Sequence, residues 1–364
     1  FGRKLATKAG RLADKPYGSL AAHDTAVQLL GYDDEAECVD LIAHQVQQWR
    51  TATRGKMAGL AVLLRHPGQS IAIENRLLAD GVPYTISGFE SYLLRPEVLL
   101  VRGLLAVATD NFDSVTEPRT REKLMRALVF FCGARIVVKG REHESQHDLL
   151  ADAIRSVTDN PLFLESFFTN QIVPNVEPAM QRRLRNALKV AKEAHGQGTL
   201  ARLLEALQIE AVVREVFVSR QRRADALANL AGLSHAAQAF GSARDYFLHL
   251  NAAEQRQREL RSTASLVLAH IGHVKGLEFE HVLIPYLEQG AFPDPQAPFA
   301  QEKNTLYVGM TRARQQLTLL SHRLRPSVFV EQLGYAASPK AAATAAATAA
   351  NTAAEAATTA QTEL

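Results

Sequence analysis

The run Leu60-Ala61-Val62-Leu63-Leu64 contains no polar side chain. A strand solvated on one face alternates apolar and polar residues, whereas a strand covered on both faces does not. This run therefore reads as a buried strand. A helix is expected from about Ser70 to Asp80, ended by Gly81, and Val82-Pro83-Tyr84-Thr85-Ile86 reads as a second strand. Pro96 suits a first helical position and opens a helix over Glu97–Ala108. Upstream, Asp33-Asp34-Glu35 stands where a helix N-terminus favours acids, and Val39, Ile42, Val46 and Trp49 then recur at helical spacing. Strand alternating with helix implies a parallel sheet.

From about residue 112 to 260 the pattern changes to helical periodicity, as in Leu124, Leu128 and Phe131, or Leu227, Leu230 and Leu233. Strand patterns then return at Leu266–His270, Val282–Pro285 and Leu317–Leu320, with a helix expected over Glu302–Arg314. The expected organisation is an α/β domain over 1–111, an all-α insertion over 112–261, and the rest of the α/β domain over 262–335. The Ala/Thr-rich segment 336–364 carries no large apolar side chain before Leu364 and is expected to be disordered.

A net charge of +3 permits nucleic acid as a partner without demanding it. With only Cys38 and Cys132, a disulfide scaffold or a zinc site is not expected, and a reducing, cytoplasmic setting is. No apolar run approaches the roughly 20 residues needed to span a bilayer, so no membrane role is expected. The chain begins at Phe1 rather than Met, as a piece of a longer reading frame would.

Two segments carry the chemistry. In Lys275-Gly276-Leu277-Glu278-Phe279, glycine permits a turn and a close approach to a ligand. Alternation would anchor Leu277 and Phe279 in the core and turn Glu278 outward, where it can accept hydrogen bonds from ribose hydroxyls. By spacing alone, a strand-entry turn with an exposed Lys and Glu is an equal reading. In Leu306–Arg314, a continuous helix would put Tyr307, Met310 and Arg314 on one face and Arg312 on another. A guanidinium so held can be aimed at a γ-phosphate; a surface arginine on an amphipathic helix is the plainer alternative.

Taken in order, Val274–Phe279, His281–Pro285, Phe292-Pro293, Glu302 and Leu306–Arg314 resemble the last motifs of superfamily 1 helicases of the UvrD/Rep/PcrA type. Ala61–Arg65 with Gln69-Ser70, Gly81–Tyr84, Gly88 and Arg95–Val98 resemble the segment that opens the second motor domain of that family. The resemblance covers about residues 1–335. It implies a RecA-like parallel-sheet motor domain of P-loop NTPase type, here without the P-loop, carrying an inserted all-α subdomain that contacts duplex DNA. It implies ATP with Mg²⁺ as the nucleotide, bound mainly by a separate N-terminal helicase half, and both single-stranded and duplex DNA as partners.

Carried over by position, Glu278 matches the glutamate on the ATP sugar, and Arg312 the arginine that reaches the γ-phosphate, the catalytic role. Lys275 and Gly276 match residues linking the nucleotide site to DNA, and Arg65 a position near the single-strand track. The family has His three residues before the lysine; here Gly272 stands there, with His270 and His273 on either side as candidates for the DNA-facing role. Basic residues usual before Leu306 are replaced by Lys303, Asn304 and Thr305.

No GxxxxGK[ST] occurs anywhere in the chain, so no backbone nest or lysine is supplied for the β- and γ-phosphates. Leu29–Glu35 superficially mimics a Walker B strand, but its place in the pattern favours acids at a helix start. In the insertion, Arg182, Arg183, Arg185, Lys189 and Lys192 are candidates for one broad basic helix face, and Arg220, Arg222 and Arg223 for a second cluster, contacting duplex phosphates. Solvated helix faces balanced by Glu are the alternative. His143 and His147 have metal-ligand spacing but no third ligand. The expected function is the C-terminal part of an ATP-dependent 3′–5′ DNA helicase, without ATPase activity alone. The alternatives are a non-catalytic DNA- or protein-binding module derived from a helicase, and a decayed remnant.

Overall fold

A computed structural model describes residues 26–193, 196–260, 262 and 265–333. The basic start (Arg3 to Lys15) and the Ala/Thr tail lie outside the described residues. By contact, those up to 65 and from 265 onward form one compact unit, and those from 66 to 262 another.

The chain enters the first unit as strand β1 (Ala26–Tyr32), helix α1 (Glu35–Ala52) and strand β2 (Leu60–Leu64). Asp34 caps α1, its carboxylate accepting from the Glu37 amide at 2.8 Å. Glu35 and Glu37 lie in the first turn, where the helix dipole favours them. These acids therefore begin a helix, and Asp33 and Glu37 both pair with Arg323.

The second unit holds α2 (Ser70–Ala79), a short strand β3 (Tyr84–Ser87), α3 (Pro96–Thr109), α4 (Pro118–Cys132), α5 (Gln146–Asp159) and α6 (Phe163–Phe167). It continues with α7 (Pro178–Glu193), α8 (Thr199–Ala206), α9 (Ile209–Val216), α10 (Arg220–Ala237) and α11 (Ala243–Glu259). β3 is its one strand among the described residues. Helix α3 is apolar almost all round and buried from Glu97 to Val107, as a central helix must be. It packs on α4, α7, α10 and α11. A Cβ on Gly103 would meet Leu128 Cγ at 2.7 Å, so glycine lets α3 and α4 approach closely. Because α2 and α3 pack on α10 and α11, the compact unit begins at 66, earlier than residue 112, where helical periodicity takes over in the sequence.

The chain returns to the first unit as β4 (Leu266–His270), β5 (Phe279–Leu287), α12 (Phe299–Met310), β6 (Ala313–His322) and α13 (Val328–Gln332). The strands of this unit lie in the order β1-β6-β5-β2-β4, and their pairings are parallel. β2 is central, paired with β4 through Ala61↔Val267 and with β5 through Leu60↔His281. All five of its residues are buried, as the unbroken apolar run requires. The expected mixed α/β architecture with a parallel sheet is present.

Candidate functional site

The segment after β4 runs through a short 3₁₀ turn, Ile271–His273, and a second turn before β5 begins at Phe279. Gly276 has φ +85°, a left-handed conformation that side chains with a Cβ resist. The Leu277 amide closes the turn on the Val274 carbonyl at 3.0 Å. Period-two alternation does not apply across such a turn, and this corrects the expected anchoring. Val274 and Phe279 are buried, while Leu277 is 47% exposed. Lys275, Gly276 and Glu278 are exposed.

Helix α12 delivers the second segment. Leu306 and Met310 are buried, and Gly309 faces the sheet so closely that a Cβ would meet Ile284 Cδ1 at 3.1 Å and Ile271 Cγ2 at 3.3 Å. The helix stops at Met310 with Thr311 as its cap, and Ala313 already pairs with Phe279 as the first residue of β6. The expectation of one helix through Arg314 is thus corrected. Pairing with β5 overrides the helical preference of the Ala-Arg-Gln-Gln stretch. Arg314 lies on a strand, where its Nε sits 3.5 Å from Glu278 Oε2.

These two turns bring the segments together at Arg312. Its backbone carbonyl accepts from the Phe279 amide at 2.8 Å. Its guanidinium donates from Nε to the Val308 carbonyl at 3.0 Å, from Nη1 to the Leu277 carbonyl at 3.1 Å and from Nη2 to Thr311 Oγ1 at 3.0 Å. Arg312, Gly276 and Glu278 therefore share one surface, with a cation beside the loop that carries the carboxylate.

At the end of β2, Arg65 grips Glu302, with Nε 2.9 Å and Nη2 2.8 Å from its oxygens, and Nη2 lies 3.7 Å from Asp294. Glu302 is fully buried and also accepts from the Asp294 amide at 2.9 Å. No local pattern links positions 65 and 302; sequence reasoning missed this pair. His270 and His273 do come together, their rings edge to face at 5.5 Å, with His270 Nδ1 accepting from the Gly272 amide.

A model of the UvrD-like helicase C-terminal domain matches residues 19–323. The chain belongs to the UvrD-like helicase C-terminal domain family. Similar proteins include the ATP-dependent DNA helicase PcrA of Bacillus subtilis (strain 168), 24% identical over 341 aligned residues. That alignment covers 85% of this chain and 43% of the relative. DNA helicase II of Escherichia coli (strain K12) is 26% identical, with 89% of this chain and 46% of the relative covered. DNA helicase II of Salmonella typhimurium is 27% identical, with shares of 82% and 43%. The chain thus spans less than half the length of these relatives.

Within this UvrD-like domain the basic residues of α7 divide. Arg182, Arg185 and Lys189 are exposed at i, i+3 and i+7 and share a face. Arg183 faces elsewhere: its side chain is 14% exposed and pairs with Glu215 at 3.1 Å, while its Nε reaches Gln208 Oε1 at 3.1 Å. Lys192 pairs with Glu165 at 3.5 Å. Among the described residues no three His, Cys, Asp or Glu side chains are grouped to hold a metal ion, and no helix is long and apolar enough to cross a membrane.

Proposed function

We propose that this chain is the C-terminal part of an ATP-dependent 3′–5′ DNA helicase, with residues 1–111 and 262–335 as its second motor domain and 112–261 as a DNA-contacting insertion. The observation that carries this reading is the junction at Arg312, where one guanidinium ties the Leu277 carbonyl to the end of α12 beside Gly276 and Glu278. One wall of a nucleotide cleft needs that combination: a cation for the γ-phosphate, a carboxylate for the ribose and a loop that leads toward DNA. The chemistry of this donor set fits a nucleotide held from one side only. The Mg²⁺ and the phosphate cradle fall to the ATP-binding half, since the chain has no GxxxxGK[ST].

In the assembled enzyme, Arg312 would act as an arginine finger. It must exchange its carbonyl partners for phosphate oxygens as the cleft closes, stabilising charge on the transferring phosphoryl group. Single-stranded DNA would pass the surface carrying His270, His273 and Lys275, with Arg65 reaching the strand only if it turns from its buried partner Glu302. Duplex DNA would meet the insertion at Arg182 and Arg185, with Arg183 bracing α7 behind them.

The test is an ATPase assay with and without DNA. The chain alone should hydrolyse no ATP. Joined to a P-loop half of a UvrD-like helicase it should hydrolyse ATP, and Arg312→Ala should lower turnover by about 10³–10⁵ with DNA affinity spared. DNA-stimulated hydrolysis by the chain alone, or unchanged turnover in the variant, would refute the assignment.

A further inference from the structure

On the second unit, the C-terminal end of α4, the residue that follows α9 and the first turn of α10 meet in an aromatic cluster. Phe131 is buried beneath it. Phe130 stands edge to face with Phe131 at 5.3 Å, and Phe217 with Phe131 at 5.7 Å; Phe130 and Phe217 lie 6.5 Å apart. Phe130 is nevertheless 55% exposed, and Val218, next to Phe217, is 92% exposed. The Arg222 guanidinium lies over the Phe217 ring at 5.3 Å, and Arg223 Nε donates to the Phe217 carbonyl, fixing the loop. Arg220 and Arg222 are exposed, and neither has an ion-pair partner among the described residues.

We propose that this surface stacks the bases of unpaired nucleic acid, with Phe130 and the outer face of Arg222 as platforms. The proposal rests on the DNA reading above and extends it from phosphate contact to base contact. An exposed ring and a guanidinium plane held by another ring both offer flat π surfaces, and every base has a matching face. The unpaired guanidinium charges attract the phosphates between the bases. Base faces inside a duplex are already stacked on one another, so the occupant is a single strand. A purely apolar partner surface would leave both arginines without a counter-charge.

The discriminating experiment measures binding of the whole chain to a labelled oligo-dT strand and to a relaxed, covalently closed circular duplex, which has neither ends nor loops of unpaired bases. Phe130→Leu should weaken oligo-dT binding by about five- to tenfold, the low end of what removal of one stacking ring does. It should leave binding to the circular duplex unchanged. Phe130→Tyr, which keeps a ring, should bind oligo-dT like the wild type. Phe130 is more exposed than buried, so both variants should fold, and matching thermal unfolding would check this. Wild-type binding to oligo-dT that Phe130→Leu does not alter would overturn the stacking role and return the patch to a protein contact. An equal loss on both probes, or no rescue by Phe130→Tyr, would overturn it too. A wild-type chain that binds neither probe would overturn the DNA reading itself.

Discussion

Arg65 and Glu302 meet across 237 positions of sequence, and their pairing has a predictable cost when broken. Glu302 has no solvent contact, so its charge is tolerable only because two nitrogens of Arg65 and the Asp294 amide satisfy it. Glu302→Ala would leave a partly buried guanidinium without its main partner. Such a break costs about 3–5 kcal/mol, whereas replacing both partners by apolar residues of similar size costs much less. Urea unfolding of Glu302→Ala against the double variant Arg65→Met/Glu302→Met measures the difference; equal losses would show that the ion pair is not what matters. His281 makes a second residue-scale prediction. It is buried on β5, its Nε2 2.9 Å from Thr318 Oγ1 and its ring beside Trp49, and burial pushes its pKa down to about 4. The unfolded chain takes up a proton near pH 6.5 while the folded one does not, so stability is full above that pH and falls as pH drops from about 6.5 toward about 4. The loss should be on the order of 2–3 kcal/mol. Unfolding curves across this range should be flatter for His281→Gln than for the wild type, and parallel curves would remove His281 from the acid response.

At the scale of elements, Arg312 acts as a clasp between the turn before β5 and the end of α12. Nε and Nη1 hold the Val308 and Leu277 carbonyls at once, and Gly276 gives the turn its left-handed bend. Arg312→Gln cannot span both carbonyls in the same way. Amide hydrogen exchange over 275–278 should therefore quicken several-fold in that variant, while β2 and β4 stay protected. Unchanged exchange over the turn would mean that the turn holds itself. Unbroken or strongly periodic elements were legible in the sequence. β2 and β4 fall where the apolar runs put them, and Pro96 opens α3. β1 was legible only as the strand-like run from Leu29, because Gln28 and Gly31 interrupt its apolar pattern and pairing with β6 supplies the missing preference. The Thr311–Arg314 stretch misled for the same reason: a strand is stabilised by its neighbour, which a local window cannot contain. Of the candidate site, Gly276, Glu278 and Arg312 were legible as types at characteristic spacings. The Arg312–Leu277 bond and the Arg314–Glu278 pair depend on β5 and β6 lying side by side, which emerges only from the folded sheet.

For the whole molecule, a net charge of +3 is too small to drive DNA binding by itself, so the distribution of charge must decide it. On α7 the exposed Arg182, Arg185 and Lys189 form a stripe that a phosphate backbone can follow, while the neighbouring Arg183 is neutralised by Glu215. Counterion release makes this division measurable. Each phosphate contact contributes about 0.9 to the slope of log affinity against log salt on duplex DNA. Arg182→Ala and Arg185→Ala should each flatten that slope by about 0.9. Arg183→Ala should leave the slope unchanged and instead lower the melting temperature slightly, since it removes a bracing pair between α7 and α9 without removing a phosphate contact. The three variants differ by one arginine each and carry the same net charge, so a response to overall charge would shift all three slopes alike. That outcome would transfer the DNA surface away from α7, whereas a split between Arg183 and the other two ties it to the exposed face of that helix.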